Sequence, residues 1–115
     1  MIEYSEISDF IEKNNIEIFV EVDYKEKKFN IVKRDIMLES YDLFEQLIYF
    51  NSIDNLFESV RGQNLPRMWS QGKTKCIISQ INDDKLVALF YDTDMDAKDN
   101  YFHAKQLDMQ LKNVL

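Results

Sequence analysis

The length, composition and charge of this chain exclude several classes of protein before any motif is considered. It has 115 residues, 45% of them hydrophobic, with two glycines and one proline, which is typical of one domain (residues 1–115) built from long regular elements. Its net charge of −7 disfavours nucleic acid and anionic membranes as partners, because both attract surfaces rich in lysine and arginine.

The first third of the chain predicts a short helix followed by two strands. Ser5 is a suitable cap for a helix in which Ile7, Phe10 and Ile11 share one face. Residues 16–24 then alternate and predict a half-buried strand whose reverse side is solvated or faces a partner. Its apolar side holds Ile16, Ile18, Val20, Val22 and Tyr24, its polar side holds Glu17, Glu21 and Asp23, and Phe19 is the exception. Phe29–Lys33 predicts a return strand, and residues 34–39 give no clear prediction.

The strongest helical pattern follows Ser40 and predicts one long helix over residues 41–61. Asp42 near its start and Arg61 near its end suit the helix dipole, and Gly62 is a natural C-cap. The apolar positions cover more than one narrow stripe: Leu43, Phe44, Leu47, Ile48, Tyr49, Phe50, Ile53, Leu56, Phe57 and Val60. Such a helix is either packed between two layers or lies at an oligomer interface, and the sequence leaves both open.

The second half of the chain predicts three strands and a closing helix. Residues 65–70 favour a short edge strand, because Pro66 cannot donate to a central ladder. The apolar runs 74–81 and 85–91 flank Asn82-Asp83-Asp84 and predict an antiparallel hairpin. An acidic loop, residues 92–96, precedes a final helix from about Ala97 to Leu115, with Ala104, Leu107, Leu111 and Val114 on one face. The predicted fold class is therefore α/β (α+β), a single antiparallel sheet of about five strands flanked by helices in the order α-β-β-α-β-β-β-α.

Two local patterns resemble ligand-binding motifs but lack residues that those motifs need. Gly72-Lys73-Thr74 looks like the end of a phosphate-binding loop, but Arg67 stands where the first glycine is required and a strand follows. Asp92, Asp94 and Asp96 match the first ligands of a calcium loop, but Ala97 replaces the glycine of its turn and His103 its bidentate glutamate. We expect these carboxylates to cap the last helix, and whether they bind a divalent ion weakly is left open.

The residues that commonly carry catalysis are scarce. Cys76, the only cysteine, lies in a predicted strand and is expected to be buried, and one cysteine forms neither a disulfide framework nor a cysteine-based metal site within a chain. His103 is the only histidine, and no nucleophile–histidine pair is indicated by spacing. We therefore expect no enzymatic activity, no cofactor and no metal.

The segment around Trp69 is the best candidate for a contact with another protein. Trp69 follows Arg67 and Met68, and tryptophan, methionine and arginine are enriched at protein interfaces. Packing of Trp69 against the core of its own chain is the alternative. Together with the apolar surface of the long helix, this segment gives the candidate interface residues Met68, Trp69, Ile48 and Phe50.

The order of elements resembles the roadblock/LC7 family of profilin-like domains. The similarity lies in the helix over 41–61, the strands 74–81 and 85–91, the acidic loop 92–96 and the closing helix. It implies a five-stranded sheet, dimerisation through the long helix and a sheet edge near Met68 and Trp69, and a non-catalytic platform for small GTPases or motor complexes. The scarcity of glycine departs from the family pattern.

Three functional hypotheses follow. The first is a homodimeric or heterodimeric adaptor or regulator of a small GTPase, and the second is a small acidic immunity protein or antitoxin that neutralises a basic toxin or nuclease. The third is an enzyme whose site is assembled only in three dimensions. The first residues of the sequence contain no basic region or apolar run, so no signal peptide is expected and the expected location is cytoplasmic.

Overall fold

A single five-stranded antiparallel sheet with helices on both faces forms the protein, which confirms the predicted fold class. The structure is a computed structural model that describes residues 4–34, 38–61 and 66–114, without the side chains of Tyr4, Ser5 and Val114. The predicted roles of Ser5 and Gly62 as caps and of Val114 in the core lie outside the described residues.

The sheet brings the first and last strands of the chain together at its centre. The elements are α1 (Tyr4–Lys13), β1 (Ile18–Asp23), β2 (Lys28–Lys33), α2 (Tyr41–Phe44), a π-helical segment (Glu45–Tyr49), α3 (Ile53–Val60), β3 (Arg67–Gln71), β4 (Thr74–Asn82), β5 (Lys85–Asp92) and α4 (Ala97–Val114). The strand order is β2-β1-β5-β4-β3, and all neighbours are antiparallel. β2 and β3 are therefore the two edges.

Each face of the sheet has its own apolar core. The first face is covered by α2, the π-helical segment and α3, and the second by α1 and α4. The first-face cluster includes Ile18, Val20, Val22, Phe44, Ile48, Leu56, Phe57, Cys76, Ile78, Ala88 and Phe90. The second-face cluster includes Ile7, Phe10, Ile11, Ile16, Phe19, Ile77, Val87, Leu89, Tyr91, Ala104, Leu107 and Leu111.

The prediction that β1 has a solvated reverse side was wrong. Phe19 is 1% exposed and belongs to the second-face cluster, because α1 and α4 cover that side of the strand. Glu17 precedes the strand and is only 9% exposed. Glu21 remains partly accessible, with its carboxylate 3.8 Å from Lys85 Nζ. β1 is thus an interior strand with side chains packed on both faces.

The helix predicted over 41–61 is interrupted near its centre. α2 runs into the π-helical segment, and α3 begins only at Ile53. The Ser52 side chain accepts a hydrogen bond from the backbone N–H of Asn55 at 3.0 Å and so caps α3. Ser40 precedes α2 as expected, but its side chain makes no capping bond. Separate helical segments, rather than one straight rod, therefore cover the first face.

Candidate interaction surfaces

β3 is an open edge of the sheet, as the sequence predicted. It pairs with β4, with Met68 opposite Ile77 and Trp69 opposite Cys76, and no strand of the described residues lies on its other side. Trp69 is half-buried against the first-face cluster, and Met68 packs against the second-face cluster. The outward backbone groups of such an edge can pair with a strand of another chain.

A second exposed surface lies where the predicted long helix breaks. We call Lys33, Tyr41, Tyr49 and Phe50 the aromatic corner. Lys33 Nζ donates hydrogen bonds to the hydroxyls of Tyr41 at 2.7 Å and Tyr49 at 3.3 Å. These bonds, chiefly the one to Tyr41, raise the pKa of Lys33. Tyr49 is 51% and Phe50 78% exposed. Because π-helical turns occur frequently at functional sites and Phe50 directly follows one, this corner is a candidate contact surface.

The four candidate interface residues do not form one surface. Ile48 is 1% exposed and lies in the first-face cluster, so it contributes to the core rather than to a contact. Phe50 follows Tyr49, which contacts β2, whereas Met68 and Trp69 lie on β3 at the other edge of the sheet. With strands about 4.8 Å apart, the two edges of a five-stranded sheet are separated by about 19 Å.

Lys33 and Tyr41 were not identified from the sequence. They belong to different elements, and only the packing of α2 beside the end of β2 brings them together. The one sequence signal for this corner is that positions 41, 49 and 50 are aromatic. The predicted continuous helix accounts for these residues as part of its apolar surface, so the signal does not point to a separate contact surface.

A polar clamp fixes the chain just before α2. The Thr74 hydroxyl donates to Asp92 Oδ1 at 2.6 Å and accepts from the backbone N–H of Ser40 at 2.8 Å. Asp92 Oδ2 accepts from the backbone N–H of Glu39 at 2.8 Å. Thr74 is fully buried, so these bonds replace those that water would make. The clamp ties the segment that enters α2 to the ends of β4 and β5.

The acidic residues after β5 have separate partners. Asp92 belongs to the clamp, Asp94 lies 3.3 Å from Lys73 Nζ, and Asp96 Oδ1 accepts from the backbone N–H of Asp99 at 2.8 Å. The bond to Asp99 confirms that a carboxylate of this loop caps the last helix. Within residues 4–34, 38–61 and 66–114, no group of three His, Cys, Asp or Glu side chains is arranged to hold a metal ion.

Cys76 and His103 lie on opposite sides of the sheet. Cys76 belongs to the first-face cluster, and burial raises the pKa of its thiol. His103 packs edge-on against Tyr91 of the second-face cluster at 5.5 Å between ring centroids, and burial lowers the pKa of its imidazole. The two side chains therefore do not form a nucleophile–base pair.

No helix of the described residues is long and apolar enough to cross a membrane.

The fold has clear counterparts among solved structures. No protein-family profile matches the sequence, and neither does any curated protein. The structure of MglC from Myxococcus xanthus superposes with a TM-score of 0.63 at 10% identity, covering 95% of this chain and 98% of MglC. Myxococcus xanthus MglB gives 0.57 at 11% identity, covering 97% and 96% of the two chains. A structure described as MglB with a tetrameric arrangement gives 0.56 at 12% identity, covering 96% and 88%.

These similarities agree with the resemblance stated from the sequence. MglC and MglB are roadblock/LC7 proteins, and they match this chain over nearly its whole length. At identities of 10–12%, the similarity concerns the backbone arrangement rather than individual side chains. The chain therefore has a roadblock-like fold.

Proposed function

We propose that this chain is a non-enzymatic interaction domain that dimerises and acts as a platform or regulator for a small GTPase or a larger complex. The roadblock-like fold, matched over 95% of the chain, carries the proposal. The roadblock/LC7 resemblance implies this function, and the tetrameric arrangement described for MglB supports self-association.

The open edge of β3 is the proposed dimer contact. Two copies of an antiparallel edge strand related by a two-fold axis extend the sheet and satisfy their outward backbone groups. Trp69 and Met68 flank that edge on its two faces, so they would contribute apolar area beside the new strand pair. The aromatic corner, at the other edge, is the proposed contact for a different protein.

Light scattering with exposed edge substitutions tests the dimer. Ser70 on β3 and Asn30 on β2 are both exposed. A lysine at position 70 loses the hydrogen bond that Lys75 Nζ donates to Ser70 Oγ at 2.6 Å and stands opposite Lys75, so circular dichroism must verify that both variants are folded. Because lysine on an edge strand discourages pairing, we expect S70K to weaken self-association about tenfold or more, and N30K to leave it unchanged. A strict monomer of the unmodified chain at high concentration would contradict the proposal.

A pull-down with the tagged chain at low and high salt tests the partner. The proposed platform function is supported if a small GTPase is recovered at both salt concentrations and is no longer recovered with the F50E variant. Phe50 is largely exposed, so F50E should preserve the fold. Recovery of a basic nuclease that is released at high salt would instead favour the acidic inhibitor, because charge-driven association weakens as salt rises.

A further inference from the structure

The outer edge of β3 presents the backbone groups of alternate residues, and the hydrogen bonds of the sheet show which residues these are. The backbone N–H of Thr93 donates to the carbonyl of Lys73 at 2.9 Å, so residue 73 is directed toward β5. Successive residues of a strand direct their backbone groups to opposite sides. The backbone groups of Thr74 and Cys76 therefore point the other way, toward β3.

Met68 and Ser70 are the residues of β3 whose backbone groups point away from the sheet. Trp69 stands opposite Cys76 in the ladder, so its own backbone groups point inward, toward β4. Its neighbours Met68 and Ser70 then point outward. No hydrogen bond joins their N–H and C=O groups to another described residue, so these groups are available to a partner strand.

The edge is bounded by a residue without a donor on one side and by a turn on the other. Pro66 directly precedes β3 and occupies the outward position before Met68, but it has no N–H. Gly72 occupies the outward position after Ser70, but its φ of 59° turns the chain toward β4. The part of the edge that can pair is therefore centred on Trp69.

We propose that two copies of this chain pair β3 with β3 around a two-fold axis that passes between the two Trp69 residues. Met68 of each copy then stands opposite Ser70 of the other, and the two residues exchange both of their backbone hydrogen bonds. Every outward N–H and C=O of these two residues is satisfied. The inference rests on the dimer proposed above and adds the register in which its strands pair.

The side chains suit this register on both faces of the sheet. A two-fold axis perpendicular to the sheet keeps both Trp69 side chains on the first face. They form a pair without hydrogen bonds between them, in which the Cα atoms are about 4.5 Å apart and aromatic side chains stabilise each other. Arg67 stands opposite Gln71 of the other copy, so no like charges meet. On the second face, the long Met68 lies beside the small Ser70.

The other registers leave backbone groups unpaired or bring like charges together. An axis at Met68 sets Ser70 opposite Pro66, and the missing N–H of proline leaves the Ser70 carbonyl without a donor. An axis at Ser70 sets Met68 opposite Gly72, where the chain has left the strand. An axis at Arg67 places two guanidinium groups opposite each other. Pro66 and Gly72 thus determine the register.

Charge also favours a β3–β3 pair over pairing of β3 with β2 of another copy. β2 begins with Lys28 and ends with Lys33, so that contact would bring Arg67 to a strand with a cation at each end. It is also a head-to-tail contact, which repeats without closing unless the copies form a ring. A closed dimer through β3 avoids both.

Disulfide trapping between two single-cysteine variants tests the register. M68C and S70C are each prepared with C76A, which removes the only native cysteine, and circular dichroism verifies that they are folded. In the proposed register, residue 68 of one copy and residue 70 of the other have Cα atoms about 5.5 Å apart, within disulfide range. Two copies of the same variant place their cysteines diagonally, about 7–8 Å apart and beyond that range.

We expect a mixture of M68C and S70C to cross-link about tenfold or more faster than either variant alone under a mild oxidant. N30C with C76A is the matched control, because Asn30 is exposed on the other edge strand and reports the rate of random collisions. Faster cross-linking of M68C alone or S70C alone would overturn the proposed register but leave the β3 dimer standing.

Light scattering on the same samples separates failure of the register from failure of the dimer. A dimer whose mixed variants cross-link no faster than N30C would place the contact away from β3 and refute the register. A strict monomer would refute the proposed dimer itself. Particles that keep growing with concentration would indicate open-ended pairing and would also overturn the two-fold arrangement.

P66A tests whether proline sets the register. Alanine supplies the missing N–H, so the Ser70 carbonyl gains a donor when the axis lies at Met68. Cross-linking of M68C alone should therefore rise about fivefold in P66A, the effect of about one hydrogen bond. S70C alone should be unaffected, because a pair centred on Ser70 does not use residue 66. No rise for M68C would show that Pro66 does not select the register.

Discussion

Replacing Thr74 by valine removes the centre of the clamp that ties the start of α2 to the sheet. The two side chains have nearly the same shape, so T74V deletes a hydroxyl without opening a cavity. The Thr74 hydroxyl donates to Asp92 and accepts from the Ser40 N–H, at 2.6 and 2.8 Å. In T74V the Ser40 N–H loses this partner at a position where Thr74 itself is fully buried.

The size of the effect follows from the kinds of bond that are lost. A hydrogen bond to a charged group contributes about 1.5–3 kcal/mol and one between neutral groups about 0.5–1.5 kcal/mol. The added methyl group of valine returns about 1 kcal/mol through apolar burial. We expect T74V to lower the free energy of unfolding by about 2 kcal/mol, which corresponds to a fall in Tm of about 8 °C for a domain of this size.

Urea denaturation followed by Trp69 fluorescence measures this change, and T93V is the matched control. Thr93 is only partly buried, and its hydroxyl accepts one bond, from the Met95 N–H at 3.2 Å. We expect T93V to cost about 0.5 kcal/mol. If T74V proved no more destabilising than T93V, the clamp would not hold the entrance to α2, and the reasoning would be refuted.

Two further changes test single side chains elsewhere in the structure. Burial raises the pKa of Glu17, with Arg34 acting in the opposite sense, and Glu17 Oε2 has no hydrogen-bond partner among the described residues. Because a raised pKa favours the protonated form in the folded state, the native chain loses stability as pH rises through that pKa. E17Q should therefore be more stable than the native chain by about 1 kcal/mol or less at pH 7 and equal to it near pH 3 in thermal melts; a gain that persisted at pH 3 would contradict this cause. Removing the cap of α3 with S52A should cost about 1 kcal/mol, whereas S40A should be nearly neutral because its side chain makes no capping bond. Equal costs in urea titrations of these two variants would show that Ser52 is not acting as a cap.

The strands were predictable because their signals are local. The hairpin of β4 and β5 follows from two apolar runs and a polar turn, and the structure places its strands at Thr74–Asn82 and Lys85–Asp92. In β1, Phe19 was the residue that carried information about the second face of the sheet, because it departs from the alternation. An apolar side chain on the otherwise polar side of a strand indicates that both faces of the strand are buried. That α1 and α4 bury the second face of β1 is seen only in the structure.

The helix break had a local signal that the apolar pattern concealed. Consecutive apolar positions fit helical spacing up to Ile48, but the next buried-side position is Ile53, five residues later. Ser52 before Ile53 and Asp54 has the character of a helix start. The sequence predicts an uninterrupted helix because the apolar residues on either side of Asn51-Ser52 can be read as one helical pattern.

The candidate surfaces depend on contacts that no sequence window contains. Pro66, which lies directly before β3, indicated the open edge correctly because it is a local signal. The location of Phe50 near β2 depends on where the helix ends and on the contact of Tyr49 with Lys33. The clamp similarly joins Thr74 to Ser40, which are distant in the sequence.

The central position of β1 and β5 has a consequence for synthesis of the protein. Ile18 pairs with Phe90, so the middle of the sheet closes only after the residues of β5 have left the ribosome. Until then, β1 has no neighbouring strand on the side opposite β2. α1 also lacks the α4 residues with which it shares the second-face cluster. Pairing between distant segments is slow compared with hairpin formation. The rate at which β5 inserts beside β1 is therefore expected to set the folding time, and a chain in which β5 has not yet inserted exposes an apolar strand edge to other molecules.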